Sequence, residues 1–117
     1  MSGDATGSGV VWGAFGQQPV HEPAPGILMR PLSGDRVMLC WVELQPDAVL
    51  PAHSHPHEQG GAVVDGQLTL TVGGETRQLG PGDGFVIPGG VEHSAVAGPA
   101  GARTLDVFTP PRDEFRR

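Results

Sequence analysis

The sequence predicts an all-β fold, a sandwich or barrel built from short strands joined by tight turns. Glycine and proline account for 19 and 12 of the 117 residues, and apolar segments lie regularly between them. Turn signals recur about every eight to ten residues and divide the chain into about nine or ten strands, a pattern typical of sandwiches and barrels. A barrel is favoured because it also removes exposed sheet edges.

The chain divides into an N-terminal arm and one domain of ordinary size. We expect residues 1–25 to form a flexible arm and residues 26–117 to form the barrel. Within the arm, residues 10–15 are an isolated apolar segment, which could be an edge strand on the barrel or a contact between two copies of the chain. Residues 17–25 are polar and rich in proline, and are predicted to be a connector.

The barrel strands follow from apolar runs bounded by turn residues. The run at 36–44 is almost wholly apolar and predicts a strand buried on both faces, whereas 67–72 alternates cleanly and predicts one buried face. Asp65-Gly66 and Gly73-Gly74 are hairpin signals. The remaining strands are expected at 27–30, 49–50, 62–64, 75–79, 85–87, 93–96 and 103–108.

Charge and composition exclude several classes of partner. The net charge is −6, all seven basic residues are Arg, and they form no stripe, which argues against nucleic acid or an anionic membrane as a partner. Cys40 is the only cysteine and lies in an apolar run, so we expect a buried, inert thiol. The N-terminus has no signal-peptide pattern and no apolar run reaches membrane-spanning length, so a cytoplasmic protein is expected.

Four side chains predict a metal site. His53 and His55 are two residues apart, so on an extended strand they point to the same side, and Gln59 has the same parity. His93 lies far along the chain but reaches the same place if the strands close into a barrel. Imidazole is the commonest protein metal ligand, and we therefore expect one divalent ion held by these four residues. Zn, Ni, Mn and Fe are all compatible with such nitrogen and oxygen donors.

Two neighbours compete with this ligand set. Glu58 would add a negative charge, but its parity turns it away from His53 and His55. His57 shares their parity but follows Pro56, so it is expected beside the ligands or facing solvent. With three imidazoles and the neutral amide of Gln59, the charge of the ion is uncompensated, and the site should attract a small anionic ligand.

These residues resemble the two motifs of the cupin family. The first motif reads His53-x-His55-xxx-Gln59 and closes at Gly66, with Gln59 at the place of the usual acidic ligand. The second reads Gly82-xxxxx-Pro88-x-Gly90-xx-His93. The resemblance covers residues 46–97 and implies a single cupin barrel, that is, a jelly-roll or double-stranded β-helix. It also implies a homodimer, because small cupins usually pair through a sheet face or an exchanged N-terminal strand.

The C-terminal segment is similar to the tail of the KdgF cupins of pectin and alginate breakdown. That family converts a 4,5-unsaturated uronate to its linear keto form. The resemblance implies active-site roles for Asp106, Phe108 and Arg112 together with the metal. An aromatic residue that usually follows the Glu-Gln pair is missing, since the chain has Gly60-Gly61-Ala62, and this predicts a more open pocket floor.

Two functional hypotheses use the same site. In the first, Arg112 binds a sugar-acid carboxylate at two points and Asp106 moves the proton, so that the protein is a metal-dependent ring-opening isomerase. In the alternatives without a catalytic role, Asp106 forms a structural ion pair with Arg103, and Arg112 is a solvated charge of the tail. In the second, the open pocket serves a metal-dependent cyclase or dioxygenase of secondary metabolism. A non-catalytic module that binds a metabolite through the metal is also consistent with the sequence.

Overall fold

The computed structural model describes residues 4–5 and 9–116, and side chains from residue 9 onward. Two short 3-10 helices lie at Phe15–Gln17 and Asp113–Phe115. The strands in the described residues are β1 (Asp4–Ala5), β2 (Val11–Trp12), β3 (His21–Ala24), β4 (Ile27–Ser33), β5 (Met38–Leu44), β6 (Val49–His53), β7 (Glu58–Val72), β8 (Glu75–Leu79), β9 (Gly84–Ile87) and β10 (His93–Thr109).

The strands form an antiparallel barrel, which confirms the predicted all-β fold. Six strands follow one another in the order β3-β4-β5-β10-β7-β8. Strand β6 pairs with the first part of β10, and β9 pairs with the first part of β7. Because β7 and β10 each take part in both halves of the barrel, they bring distant parts of the chain to one interior.

The long strands β7 and β10 run through two predicted interruptions. Asp65-Gly66 was predicted to be a hairpin, and 93–96 and 103–108 were predicted to be separate strands. Instead, Gly66 and Gly101 adopt φ values of 77° and 80° inside these strands, where the register between them shifts. A Cβ atom at Gly66 would collide with the carbonyl oxygen of Gly101. Both glycines therefore mark a bend at which two paired strands pass together from one half of the barrel to the other.

The second predicted hairpin is confirmed. Gly73 and Gly74 have φ values of 55° and 86° and join β7 to β8. Two consecutive positive φ values are those of a tight turn whose twist matches the flanking strands, and glycine adopts them without steric cost.

Strand β5 has one buried face rather than the two that were predicted. Its core face consists of buried side chains, whereas Leu39 and Trp41 on the other face remain half-exposed. The sequence of β5 reads as a continuous apolar run because the side chains on its outer face, Leu39 and Trp41, are also apolar. On the core face, Cys40 is fully buried as expected, and burial raises the pKa of its thiol to about 12.

The N-terminal region contains more structure than a flexible connector. Residues 21–24, predicted to be part of a connector, form β3 and pair with β4. The apolar segment forms β2, which pairs with β1 rather than with the barrel. Beyond it, Phe15 stacks on Trp41 with ring centroids 6.2 Å apart. In the predicted arm, residues 1–3 and 6–8 lie outside the described residues, and a domain boundary at residue 26 stays a prediction.

No helix in the described part of the chain has the length and apolar character needed to cross a membrane.

Candidate metal centre

Three histidines converge at one point inside the barrel. His53 ends β6, His93 begins β10 and is its register partner, and His55 lies in the bend that follows β6. One ligand nitrogen of each lies within 4.8 Å of the others, a spacing that could hold a metal ion. Gln59 reaches the same place by a different route from the one predicted: the chain bends after His55, and β7 then brings the amide back to the histidines.

Backbone carbonyl oxygens determine which nitrogen of each histidine faces inward. The Nδ1 atoms of His53, His55 and His93 each lie at hydrogen-bond distance from a carbonyl oxygen. Because such an oxygen can only accept, each Nδ1 carries the proton and each Nε2 presents a lone pair. The accepting oxygens are those of Pro51, His57 and Val91, at 2.8, 3.1 and 2.9 Å.

The Gln59 amide adds a fourth acceptor. Its Oε1 atom lies 3.0 Å from the Nε2 of His55, while its Nε2 donates a hydrogen bond of 3.0 Å to Oδ2 of Asp106. The Nε2 atom of His93 is buried and has no hydrogen-bond partner. A cation among these four lone pairs would satisfy all of them, so the donor set fits the predicted divalent metal ion.

The electrostatics keep the buried imidazoles neutral. Burial is the main cause that lowers the pKa of His55, and the nearby Arg112 guanidinium lowers it further. Burial also lowers the pKa of His93, with a smaller contribution from Arg112. A neutral imidazole is the form that binds a metal, so these shifts favour coordination near neutral pH.

Asp106 lies directly behind Gln59. It is 7% exposed, and burial raises its pKa to about 6, partly offset by the Thr104 hydroxyl and the Gln59 amide. Thr104, Asp106 and Phe108 share the inner face of β10, because residues two apart on an extended strand point to the same side. Oδ1 of Asp106 is buried without a hydrogen-bond partner, and the residue lines the cavity. The alternative in which Asp106 forms a structural ion pair with Arg103 is not seen.

Arg112 places a positive charge on the cavity wall. Its side chain is 15% exposed, so it is not the solvated tail charge considered as an alternative. The guanidinium lies over the rings of Phe108 and Phe115, 5.3 and 4.7 Å from their centroids, and one Nη donates to Glu114 at 3.2 Å. Its buried Nε–H has no hydrogen-bond partner. The guanidinium can thus offer further donors to an anion.

A cavity of about 310 Å³ lies in the barrel beside these groups. The missing aromatic residue was predicted to leave its floor open at Gly60-Gly61-Ala62, and this prediction is wrong at Gly61. The ring of Phe85, from the neighbouring strand β9, lies against Gly61, where a Cβ atom would also come within 2.7 Å of Oδ1 of Asp106. Phe85 therefore supplies the wall.

The remaining residues of the predicted site are placed as follows. Phe108 is 1% exposed and meets the ring of His55 edge-on at 5.9 Å. Glu58 is exposed, and His57 holds His55 through its backbone oxygen rather than joining the cluster. Sequence reasoning missed Phe85 and Glu114. The alternation of β9 could have indicated Phe85, but no local signal marks Glu114.

Comparisons with known proteins agree with this geometry. The model of the cupin domain family matches residues 40–108. The pectin degradation protein KdgF of Dickeya dadantii is 29% identical over 102 residues, covering 85% of this chain and 92% of that protein. The solved structure of KdgF from Halomonas sp. is 33% identical with a TM-score of 0.78, covering 88% of this chain and 98% of that chain. An RmlC-like cupin from Shewanella frigidimarina is 28% identical with a TM-score of 0.81, covering 89% and 94%.

Proposed function

The chain belongs to the cupin domain family, and from that premise we propose that it is a metal-dependent enzyme that converts a 4,5-unsaturated uronate to its linear keto form. Support comes from its similarity to the KdgF proteins over most of both chains. The observation that carries the proposal is that Asp106, Phe108 and Arg112 line the same cavity as the histidine cluster.

The proposed site has a cationic side and a proton acceptor. A divalent ion, held by His53, His55, His93 and Gln59, would supply Lewis-acid chemistry to substrate oxygens when bound. Arg112 binds the substrate carboxylate through donors that Glu114 leaves free. Its guanidinium is fixed by the rings above which it lies, so little side-chain freedom is lost when the carboxylate binds.

Asp106 is the proposed base. Its Oδ2 atom accepts from Gln59, whereas the buried Oδ1 has no hydrogen-bond partner, and we assign to it the acceptance of a proton from a substrate hydroxyl. Loss of that proton starts the opening of the sugar ring, and its return to carbon completes the keto product, so the reaction is an isomerisation with no net exchange of atoms. Phe108 supplies an apolar wall that excludes water from this transfer.

The test is direct turnover of an unsaturated uronate monosaccharide. The metal-loaded protein should remove the ultraviolet absorbance of the substrate double bond, and protein stripped with a chelator should not. Absence of turnover with zinc, nickel, manganese and iron alike would contradict the proposal.

A second candidate function is a cyclase or dioxygenase of secondary metabolism. The apolar lining of much of the cavity favours it, because an aromatic ligand would fit there. If uronates are not turned over, binding of an aromatic ligand with turnover separates this enzyme from a module that only binds a metabolite.

A further inference from the structure

The cavity continues beyond the metal centre into a part of the barrel that has almost no polar groups. The strand register gives its direction. Ala95 follows His93 by two residues on β10, points to the same face and pairs with Leu70 on β7. Leu68, two residues before Leu70, is the next side chain on that face of β7. Successive side chains on one face are about 7 Å apart along a strand, so the lining extends well past the histidines.

The opposite wall is apolar at the same levels. Thr104, two residues before Asp106 on β10, pairs with Val42 on β5. Leu44 is the next side chain on the same face of β5. Ile27 and Met29 on β4 pair with Leu44 and Val42 and also line the cavity. Thr104 is the one polar side chain among the described residues that line this end, and its hydroxyl is directed to Asp106.

The two ends of the cavity therefore differ in chemistry. The polar end holds the Arg112 guanidinium and the histidines that would bind a metal cation, and these positive charges would outweigh the Asp106 carboxylate and favour a negatively charged head group. The whole cavity, polar end included, is about 310 Å³, and an apolar cavity of about 150 Å³ is enough to bind benzene in another protein, so a ligand of that size can be divided between the two ends.

We propose that the apolar end, which we name the lower subsite (Ile27, Met29, Val42, Leu44, Leu68 and Leu70), binds the hydrocarbon part of a small amphipathic carboxylate whose head group lies at the metal and Arg112. The ligand class is a monocarboxylate with a short alkyl chain or an aromatic ring. Charge complementarity selects the head, and burial of apolar surface selects the tail. Such a ligand would compete with a uronate for the polar end.

The test measures binding of a series of carboxylates to the zinc-loaded protein by titration calorimetry. The series is acetate, butanoate, hexanoate and phenylacetate. We expect affinity to rise about fourfold for each methylene that enters the lower subsite, and the heat capacity change to become more negative along the series. Equal affinity for acetate and hexanoate in the wild-type protein overturns the proposal, whatever the variants do.

A matched pair of variants locates the tail. Ala95→Leu fills the entrance of the lower subsite and should abolish the gain from acetate to hexanoate, measured as the ratio of the two affinities within the variant. Ala100→Leu makes the same change at an exposed position of the same strand and should leave the full gain. If Ala95→Leu keeps the gain as well, the hydrocarbon binds elsewhere and the subsite is refuted.

This inference does not rest on the proposed uronate reaction, and the two fail separately. Loss of the chain-length dependence with uronate turnover intact overturns only the lower subsite. Absence of turnover with the chain-length dependence intact overturns only the uronate reaction and favours a substrate with an apolar body.

Discussion

The amide nitrogen of Gln59 donates a 3.0 Å hydrogen bond to Oδ2 of Asp106, and this contact turns the amide oxygen toward His55. A carboxylate oxygen accepts and cannot donate, so the orientation of the amide is determined by chemistry rather than by chance. Asp106 thereby has two roles at once. One oxygen positions a proposed metal ligand, and the other, which has no hydrogen-bond partner, is the proposed base.

The two roles of Asp106 can be separated by substitution. In Asp106→Asn the new amide oxygen still accepts from Gln59, so we expect fold and metal content to be kept while turnover falls at least about a hundredfold through loss of the base. In Asp106→Leu the acceptor is lost, and metal affinity should fall about ten- to a hundredfold as well. Metal analysis beside uronate turnover checks both. Equal rates for wild type and Asp106→Asn would show that the base is another group.

Removal of a metal ligand should lower metal content and melting temperature together. We expect this for His55→Ala, because a bound ion stabilises the folded chain and the variant loses one of its donors. His57→Ala is the matched control: its ring meets His55 edge-on at 5.5 Å but lies outside the cluster, and its backbone oxygen, which accepts from His55, is kept in the variant, so metal content should be kept as well. Full metal occupancy in a double His53→Ala, His93→Ala variant would contradict the ligand assignment.

Loss of Arg112 should weaken substrate binding more than it slows the chemical step. We expect Arg112→Ala to raise KM for a carboxylate substrate at least about tenfold, the usual effect of losing a charge-assisted hydrogen bond, with a smaller change in kcat. Arg116→Ala is the control, because Arg116 is more exposed and pairs with Asp113 outside the cavity. A pure kcat effect would assign Arg112 to the chemical step instead.

Substitutions at Gly61 and Phe85 should have coupled effects on the free energy of unfolding. A methyl group at Gly61 meets the Phe85 ring and Oδ1 of Asp106, so Gly61→Ala should destabilise the fold by about 1–3 kcal/mol. Phe85→Leu should recover part of this loss in the double variant, and denaturant unfolding of the four proteins measures the coupling. Strict additivity would show that the ring does not occupy this space in solution.

We also expect a homodimer, through the N-terminal segment or through the outer face of the barrel. Trp12 is 67% exposed and Val86, on the outer face, is 70% exposed. Deleting residues 1–16 should shift sedimentation toward monomer if the N-terminal segment forms the contact, and Val86→Asp should do so if the sheet face forms it. A full-length protein that sediments as a monomer at high concentration would refute both routes.

The sequence predicted those parts of the site that depend on short spacing. His53 and His55 were predicted to point to the same side, and they do converge, although β6 ends at His53 and His55 lies just beyond it. Gln59 was predicted on a continuous strand but reaches the site after a bend, which parity cannot describe. The closeness of Phe85 to Gly61 depends on pairing between β7 and β9, and no local pattern carries that information.

The same reasoning explains which strand boundaries were wrong. At Asp65-Gly66 the local residues fit a hairpin, but the partner strand bends at Gly101 in step with them. A tight turn and a shared bend both require a glycine with positive φ, so the sequence alone does not distinguish them.

The contact between Gly61 and Phe85 also limits the order in which the barrel can change over evolutionary time. A larger residue can be accepted at position 61 only after the ring at position 85 has been lost, because the two share one volume. The reverse order passes through an overpacked intermediate that selection would remove. Since the same volume borders Asp106, a lineage that crosses this step also reshapes the wall beside the proposed base, and a change of ligand can begin with an exchange between two strands rather than at Asp106 itself.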